Sequence, residues 1–295
     1  MKRLLILSGK GGTGKTTTAA AFIHFAGAKA AADCDVDAPN LHLVTRQTAK
    51  PVISQFMGGD KAVIDPAKCT GCTLCMNHCR FHAIERKDGR CRVNEYACEG
   101  CGVCAYVCPQ KAAELKSDAA GTKELYLDDA VFSTATLKMG RGNSGKLVTE
   151  VKMDMLKHAP DTELAIIDGS PGIGCPVIAS VSGADLVLAV AEPSLSGLND
   201  LKRLVQTAET FQAKMAVCVN KWDVSPENTQ AIRAFCREQN IPFAGVIPYD
   251  KRASEAINAG CSIADIDCPA RDALKEIFET TSKLLEINFK MNEKE

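Results

Sequence analysis

Short apolar runs recur along the chain, most of them followed by a polar or turn-forming residue, and segments of helical periodicity separate them. Residues 3–7, 29–32, 163–167, 185–190, 214–219 and 243–247 have the length and near-continuous apolar character of buried strands. Residues 19–26, 147–157, 197–211, 226–239 and 269–289 carry apolar positions at helical spacing. Strands alternating with helices predict an α/β fold: a mostly parallel sheet covered on both faces. From about residue 58 to 117 this rhythm stops and the sequence becomes cysteine-rich and turn-rich. The chain is therefore expected to hold a discontinuous domain, residues 1–58 and 118–295, with residues 59–117 inserted in it.

The first predicted strand runs directly into SGKGGTGKTTT and then into a helix. Gly9 to Thr16 fit the phosphate-loop pattern G-x-x-x-x-G-K-[ST] in the strand-to-helix setting that the pattern requires. Glycines let backbone N–H groups turn inward around phosphate oxygens, and the helix N-terminus adds its positive end. Gly11, Gly12, Thr13, Gly14 and Thr17 are expected to cradle the nucleotide, Lys15 to reach its β- and γ-phosphates, and Thr16 to ligate Mg²⁺. The bland alternative is a glycine-rich turn after a strand. Acidic residues follow two further strands, as DCDVDAPN from Asp33 and as DGSPGIG from Asp168, and Asn220 to Asp223 read NKWD after another.

Nine of the chain's fifteen cysteines lie between Cys69 and Cys108. CTGCTLCMNHC and CEGCGVCAYVC repeat one spacing 29 residues apart. Each run is C-x2-C-x2-C-x3-C, similar to the run of bacterial two-cluster ferredoxins, in which the fourth cysteine of one run serves the other cluster. That similarity assigns Cys69, Cys72, Cys75 and Cys108 to one 4Fe-4S cluster, and Cys98, Cys101, Cys104 and Cys79 to a second. Paired CxxC units also serve zinc, the competing chemistry. The first run lacks the proline that follows Cys108 and has Arg80 in its place, which puts the local turn and that cluster's potential in question. Of the remaining cysteines, Cys218 reads as a small buried hydrophobe, and Cys175, beside a loop expected to move with nucleotide, as packing first and otherwise as a thiol exposed to a metal or partner. Cys91, Cys236, Cys261 and Cys268 carry no metal reading.

Composition narrows the field. With 35 basic and 36 acidic side chains the formal charge is −1, so no field favours a nucleic acid or an anionic membrane. The apolar stretch from Leu4 to Leu7 is too short for a signal-peptide core, and no apolar run approaches the ~20 residues of a membrane span. A reducing, cytoplasmic setting is expected, in which crowded cysteines mean metal rather than disulfides.

Together these features resemble the MinD/ParA/Mrp superfamily of P-loop ATPases, which includes the nitrogenase iron protein, here with an inserted two-cluster ferredoxin domain. The resemblance is carried by residues 10–16, 33–40 and 168–174 and by IPYDKRASEAINAG towards the end. It implies a P-loop NTPase fold with a deviant Walker A loop and an inserted α+β bacterial ferredoxin-like domain. The early lysine, Lys10, would complete a partner's nucleotide site across a dimer interface. Asp35 would position the attacking water or a magnesium-bound water, with Asp33 and Asp37 as helpers. Asp168 would hold Mg²⁺ through water, the Gly172 amide would sense the γ-phosphate, and Asn220 would meet the base edge. Distant kinship to cobyrinic acid a,c-diamide synthases concerns fold alone, because no glutaminase-type domain is visible.

The activity so implied is an ATPase that couples nucleotide state to electron transfer through two 4Fe-4S clusters, in metal-cofactor or iron-sulfur chemistry. It would act as a homodimer, or as a heterodimer with a related ATPase, alongside an unidentified redox or metal-cofactor protein. Two other classes share the motifs: a scaffold that delivers clusters, and a positioning ATPase with a redox-sensing module.

Overall fold

The computed structural model describes residues 1–287. The chain forms two compact units: Met1–Ser54, Lys123–Thr136 and the described residues from Ser144 onward make the first, and Gln55–Thr122 with Leu137–Asn143 the second. In chain order the elements are β1 (Lys2–Leu7), α1 (Lys15–Ala26), β2 (Ala30–Asp33), β3 (Val52–Ile64), α2 (Leu74–Asn77), β4 (Ile84–Lys87), β5 (Arg90–Val93), α3 (Val103–Val107) and β6 (Ala113–Leu127). They continue with β7 (Val131–Leu137), α4 (Ser144–His158), β8 (Leu164–Asp168), α5 (Cys175–Val181), β9 (Leu186–Ala191), α6 (Leu195–Thr210), β10 (Lys214–Asn220), α7 (Pro226–Glu238), β11 (Phe243–Ile247), α8 (Lys251–Asn258) and α9 (Pro269–Leu284).

In the first unit seven strands lie in the order β11-β10-β9-β1-β8-β2-β7, with every neighbouring pair parallel. Side chains alternate along each strand, so the two faces are filled separately. Leu186, Leu188 and Val190 join Phe22 of α1 and Leu274, Ile277 and Phe278 of α9 in one core. Ala189, Ala191, Val217 and Val219 meet Leu201 and Val205 of α6 and Ile232 and Cys236 of α7 in another. Burial on both faces is why these strands read as unbroken apolar runs. Phe22 and Phe278 meet edge-on at 5.1 Å, a contact that pins α1 against α9. All the expected parallel strands are present within a residue or so of their expected ends.

The departures have local causes. Helix α1 starts at Lys15, before the apolar periodicity begins, because Gly14 adopts φ 97 and turns the chain straight into the helix. Helix α9 stops at Leu284, and Glu286 has φ 60, which no helix continues; residues 288 and 289 of the expected helix lie outside the described residues. Strands β3, β6 and β7 fall where no strand was expected. Most β3 side chains are exposed, and β7 buries Ser133 and Thr134, so neither carries an apolar signature.

In the second unit, the β4–β5 hairpin turns at Asp88 and Gly89, both with positive φ. The 29-residue repeat of the sequence is also a repeat of structure. Gly71 and Gly100 have φ 70 and 63, and His82 and Lys111 have φ 50 and 49. A Cβ at Gly71 would lie 1.9 Å from the Gly89 carbonyl oxygen, and one at Gly100 2.1 Å from that of Asp60, so neither position admits a side chain. Each half closes on the other: Asp65 N–H donates to Ala112 O at 2.8 Å, and Asn94 N–H to Ala83 O at 2.7 Å. The core of this unit is small, built of cysteines and alanines with Ile84.

Candidate functional site

The phosphate-loop residues sit at the carboxyl end of β1, where ligands bind in open parallel sheets. Asp33 ends β2 with Asp35 just beyond it, Asp168 ends β8 and Asn220 ends β10, so parallel packing brings the four strand ends to one edge. At this edge lies a cavity of about 460 Å³, the size of a small-molecule site. Gly11, Gly12, Gly14, Lys15, Thr16, Thr17, Asp35 and Asn220 all line it, and Tyr249, Asp250, Ser254 and Ile257 form a further wall.

Lys15 is nearly buried, with Nζ 3.5 Å from Asp35 Oδ2 and 3.9 Å from Asp168 Oδ1. Thr16 Oγ1 donates to Asp168 Oδ2 at 2.6 Å. Asp168 is wholly buried, and its Oδ1 has no hydrogen-bond partner. Burial raises its carboxyl well above the ordinary range; Lys15 opposes this, and Asp33 and Asp35 add to it. Asp35 is also raised, by burial first and by Asp37, with Lys15 pulling the other way. Two carboxylates, a hydroxyl and an ammonium thus meet at the start of α1, the ammonium balancing the charge of the carboxylates.

Asp33 has another task. Its carboxylate accepts the amides of Asp35 at 3.0 Å and of Asn40 and Leu41 at 2.9 Å each, which shapes the loop after β2. Burial pushes it up to about 6 against those amides. Asp37 is exposed. The Gly172 amide donates to Ser8 O at 3.1 Å, with Gly172 at φ 94. Asn220 turns back on the phosphate loop: its Nδ2 donates to Thr13 O at 2.8 Å, and its Oδ1 accepts the Lys221 amide. Asp223 Oδ1 accepts the Tyr249 amide at 2.8 Å, which ties the NKWD turn to the far wall. Lys10 Nζ lies against Glu192 and 3.4 Å from Ser196 Oγ.

Sequence reasoning passed over Cys34, which is fully buried between Asp33 and Asp35. Its amide donates to Asp168 O at 2.7 Å and its carbonyl accepts Ser170 Oγ at 2.5 Å, joining the two acidic segments. Burial lifts its thiol far out of the ordinary range. Glu192 was missed as well, because a lone glutamate after a strand carries no motif.

The second unit holds two chambers. Cys69, Cys72, Cys75 and Cys108 line one, and Cys79, Cys98, Cys101 and Cys104 the other: three thiols from one run and the fourth from its repeat. Among the described residues no three His, Cys, Asp or Glu side chains converge on a single ion-sized point; the thiols instead face a shared space. Backbone amides point at the sulfurs in matched pairs. Ala83 and Ala112 donate to Cys79 and Cys108 at 3.3 and 3.2 Å, and Cys91 and Ala62 donate to Cys69 and Cys98 at 3.4 Å each. The turn after Cys79 thus matches the turn after Cys108 although Arg80 stands where Pro109 does, and Arg80 is exposed. At Cys108 burial opposes ionisation, but the amides of Ala112, Ala113, Gln110 and Lys111 outweigh it and lower the thiol. Burial pushes Cys75 up to about 12, with Cys91 as a hydrogen-bonding neighbour. Cys218 and Cys236 are buried in the first unit and raised by burial, whereas Cys175 is exposed. Among the described residues no helix is long and apolar enough to cross a membrane.

The model of the CobQ/CobB/MinD/ParA nucleotide binding domain matches residues 4–263. An uncharacterized protein of Methanocaldococcus jannaschii is 29% identical, with 96% of this chain and 97% of that protein aligned. An uncharacterized ferredoxin of the same organism is 28% identical over 127 residues, 32% of this chain and 84% of its own length. Among solved structures, the septum site-determining protein MinD of Pyrococcus horikoshii, complexed with Mg-ADP, superimposes with a TM-score of 0.58 at 17% identity, covering 98% of this chain and 99% of that one.

Proposed function

The chain belongs to the CobQ/CobB/MinD/ParA nucleotide-binding family, and from that premise we propose that it binds and hydrolyses ATP and couples nucleotide state to electron transfer through two 4Fe-4S clusters. The field of work is metal-cofactor or iron-sulfur chemistry. One observation carries the reading: a chain with a phosphate loop also holds two chambers, each walled by three cysteines of one run and the fourth of the other. Such crossed sets suit a cubane, whose corners lie apart, better than a zinc ion, which draws four ligands to one point.

Bound Mg-ATP supplies a phosphoryl group for transfer to water, and the clusters supply one-electron storage. The amides of Gly11 to Thr16 and the Lys15 ammonium grip the phosphates, neutralising charge where it grows in transfer. Thr16 and Asp168 are the groups that would hold the magnesium shell, and Asp168 Oδ1, which lacks a hydrogen-bond partner, is the oxygen that would accept from it. Asp35 orients the attacking water. Gly172 gives up the Ser8 carbonyl to answer the γ-phosphate, and Asn220 braces the loop at Thr13 while bordering the base. Lys10 leaves Glu192 to complete the site of a second subunit, in a homodimer or with a related ATPase. In the chain, the cysteine unit interrupts the stretch between the two acidic segments, and this connection is the proposed route of coupling.

Anaerobically purified protein tests the reading: it should hold eight irons and eight acid-labile sulfides, as two 4Fe-4S clusters require. Its ATPase rate should differ between reduced and oxidised clusters, and the cluster potentials should differ with and without nucleotide. Independence in both directions removes the coupling; zinc without sulfide removes the clusters.

A further inference from the structure

The structural repeat makes the two chambers comparable position by position. Ala62 occupies in one half the place that Cys91 occupies in the other, and the amides of both donate to the first cysteine of the opposite run at 3.4 Å. Cys91 is buried and lines the first chamber; Ala62 is buried and lines the second. A second pair differs as well: Thr70 lines the first chamber and Glu99 the second. The first chamber therefore has a fifth thiol, next to Cys75, where the second has a methyl group and an added acidic side chain.

Resting on the cluster reading above, we propose that Cys91 sets the order in which the two clusters take up an electron, by making the first chamber the site of higher potential. Reduction adds one negative charge to a chamber and breaks no bond. Hydrogen bonds to cluster sulfurs are among the determinants of potential. A Cys75 sulfur bound to iron as a thiolate can only accept, so the neighbouring Cys91 S–H becomes its donor and stabilises that added charge, whereas the alanine methyl of the second chamber offers none. Glu99 acts in the same sense by opposing charge in the second chamber, weakly because it is exposed. An electron from a one-electron donor then settles in the chamber of Cys69, Cys72, Cys75 and Cys108. Cys91 is a positioning residue: it acts through the ligand beside it.

The test uses the full chain, purified without oxygen, with iron and sulfide counted and both midpoint potentials followed by electron paramagnetic resonance during dithionite titration. Wild-type protein is expected to give two separate potentials. Cys91→Ala should lower the higher one and leave the lower one in place, and Cys91→Ser, which keeps a donor, should restore part of the gap. Ala62→Cys should raise the lower potential alone, and this arm decides the matter if Cys91→Ala fails to retain a cluster. A full complement of iron with the higher potential unmoved in Cys91→Ala, or both potentials moving together, overturns this inference alone. Wild-type protein without sulfide overturns the cluster reading and this inference with it.

Discussion

Lys10 Nζ lies 2.5 Å from Glu192 Oε2, so the early lysine of the phosphate loop is held by its own chain. Glu192 also lies 4.0 Å from Lys221 Nζ and thus gathers two cations at the rim of the nucleotide site. A pair this exposed contributes under about 1 kcal/mol. Glu192→Gln is therefore expected to strengthen ATP-dependent self-association by up to about fivefold for each subunit, about thirtyfold for a symmetric pair. Lys10→Ala should bind ATP with nearly unchanged affinity but lose hydrolysis. Sedimentation with a non-hydrolysable analogue, alongside phosphate release, reads both; equal association in wild type and Glu192→Gln would show that the tie has no hold on Lys10.

Asn220 braces the phosphate loop through the Thr13 carbonyl. Losing one such hydrogen bond costs about 0.5–1.5 kcal/mol, so Asn220→Ala should weaken Mg-ATP about three- to tenfold in calorimetry while the fold persists. Gly14→Ala should do much more. Its Cβ would stand 2.4 Å from Asn220 Nδ2 at a backbone angle of φ 97, and binding is expected to vanish from the same assay.

The crossed lining of the chambers separates near neighbours in sequence. Cys75→Ala and Cys108→Ala should each deplete the same cluster, and Cys79→Ala and Cys104→Ala the other, so that each variant loses about half the iron in elemental analysis. Grouping by run instead would refute the crossed assignment. With a core of cysteines, alanines and Ile84, the second unit has little apolar area to hold it without its clusters. Stripping iron by an oxidising chelator should expose the amides of this unit to rapid hydrogen exchange while the strands of the first unit stay protected.

Lys152 is buried, and its ammonium donates to the carbonyls of Ala179, Ser180 and Ser182 at 2.8, 2.7 and 2.6 Å, capping α5 just past the second acidic segment. Burial lowers its pKa, and Arg3 acts in the same direction. Lys152→Met strands those acceptors and should cost about 2–4 kcal/mol, seen as a fall in the denaturation midpoint. Exchange of the α5 amides should accelerate first; unchanged exchange there would mean the cap is dispensable.

Much of the fold was legible because its signals are local. A strand buried on both faces must be apolar throughout, so β1, β2, β8, β9, β10 and β11 announced themselves, while β3 and β7, with exposed or hydroxyl side chains, did not. The glycine spacing of a phosphate loop and the thiolate spacing of the cysteine runs are demands of backbone geometry within a few residues, and spacing survives in the bare sequence. The return of Leu137–Asn143 to the second unit leaves no such trace.

The sequence by itself determined the α/β order, the phosphate loop and the doubled cysteine run, because each rests on neighbours along the chain. Only the tertiary structure decided that Asp33 shapes a loop while Asp35 meets Lys15, that Cys34 joins the two acidic segments, that Glu192 holds Lys10, and that Cys91 faces one chamber while Ala62 faces the other. Those outcomes depend on which side chains far apart in the chain come within hydrogen-bonding distance, and that is set by sheet order and by burial on folding.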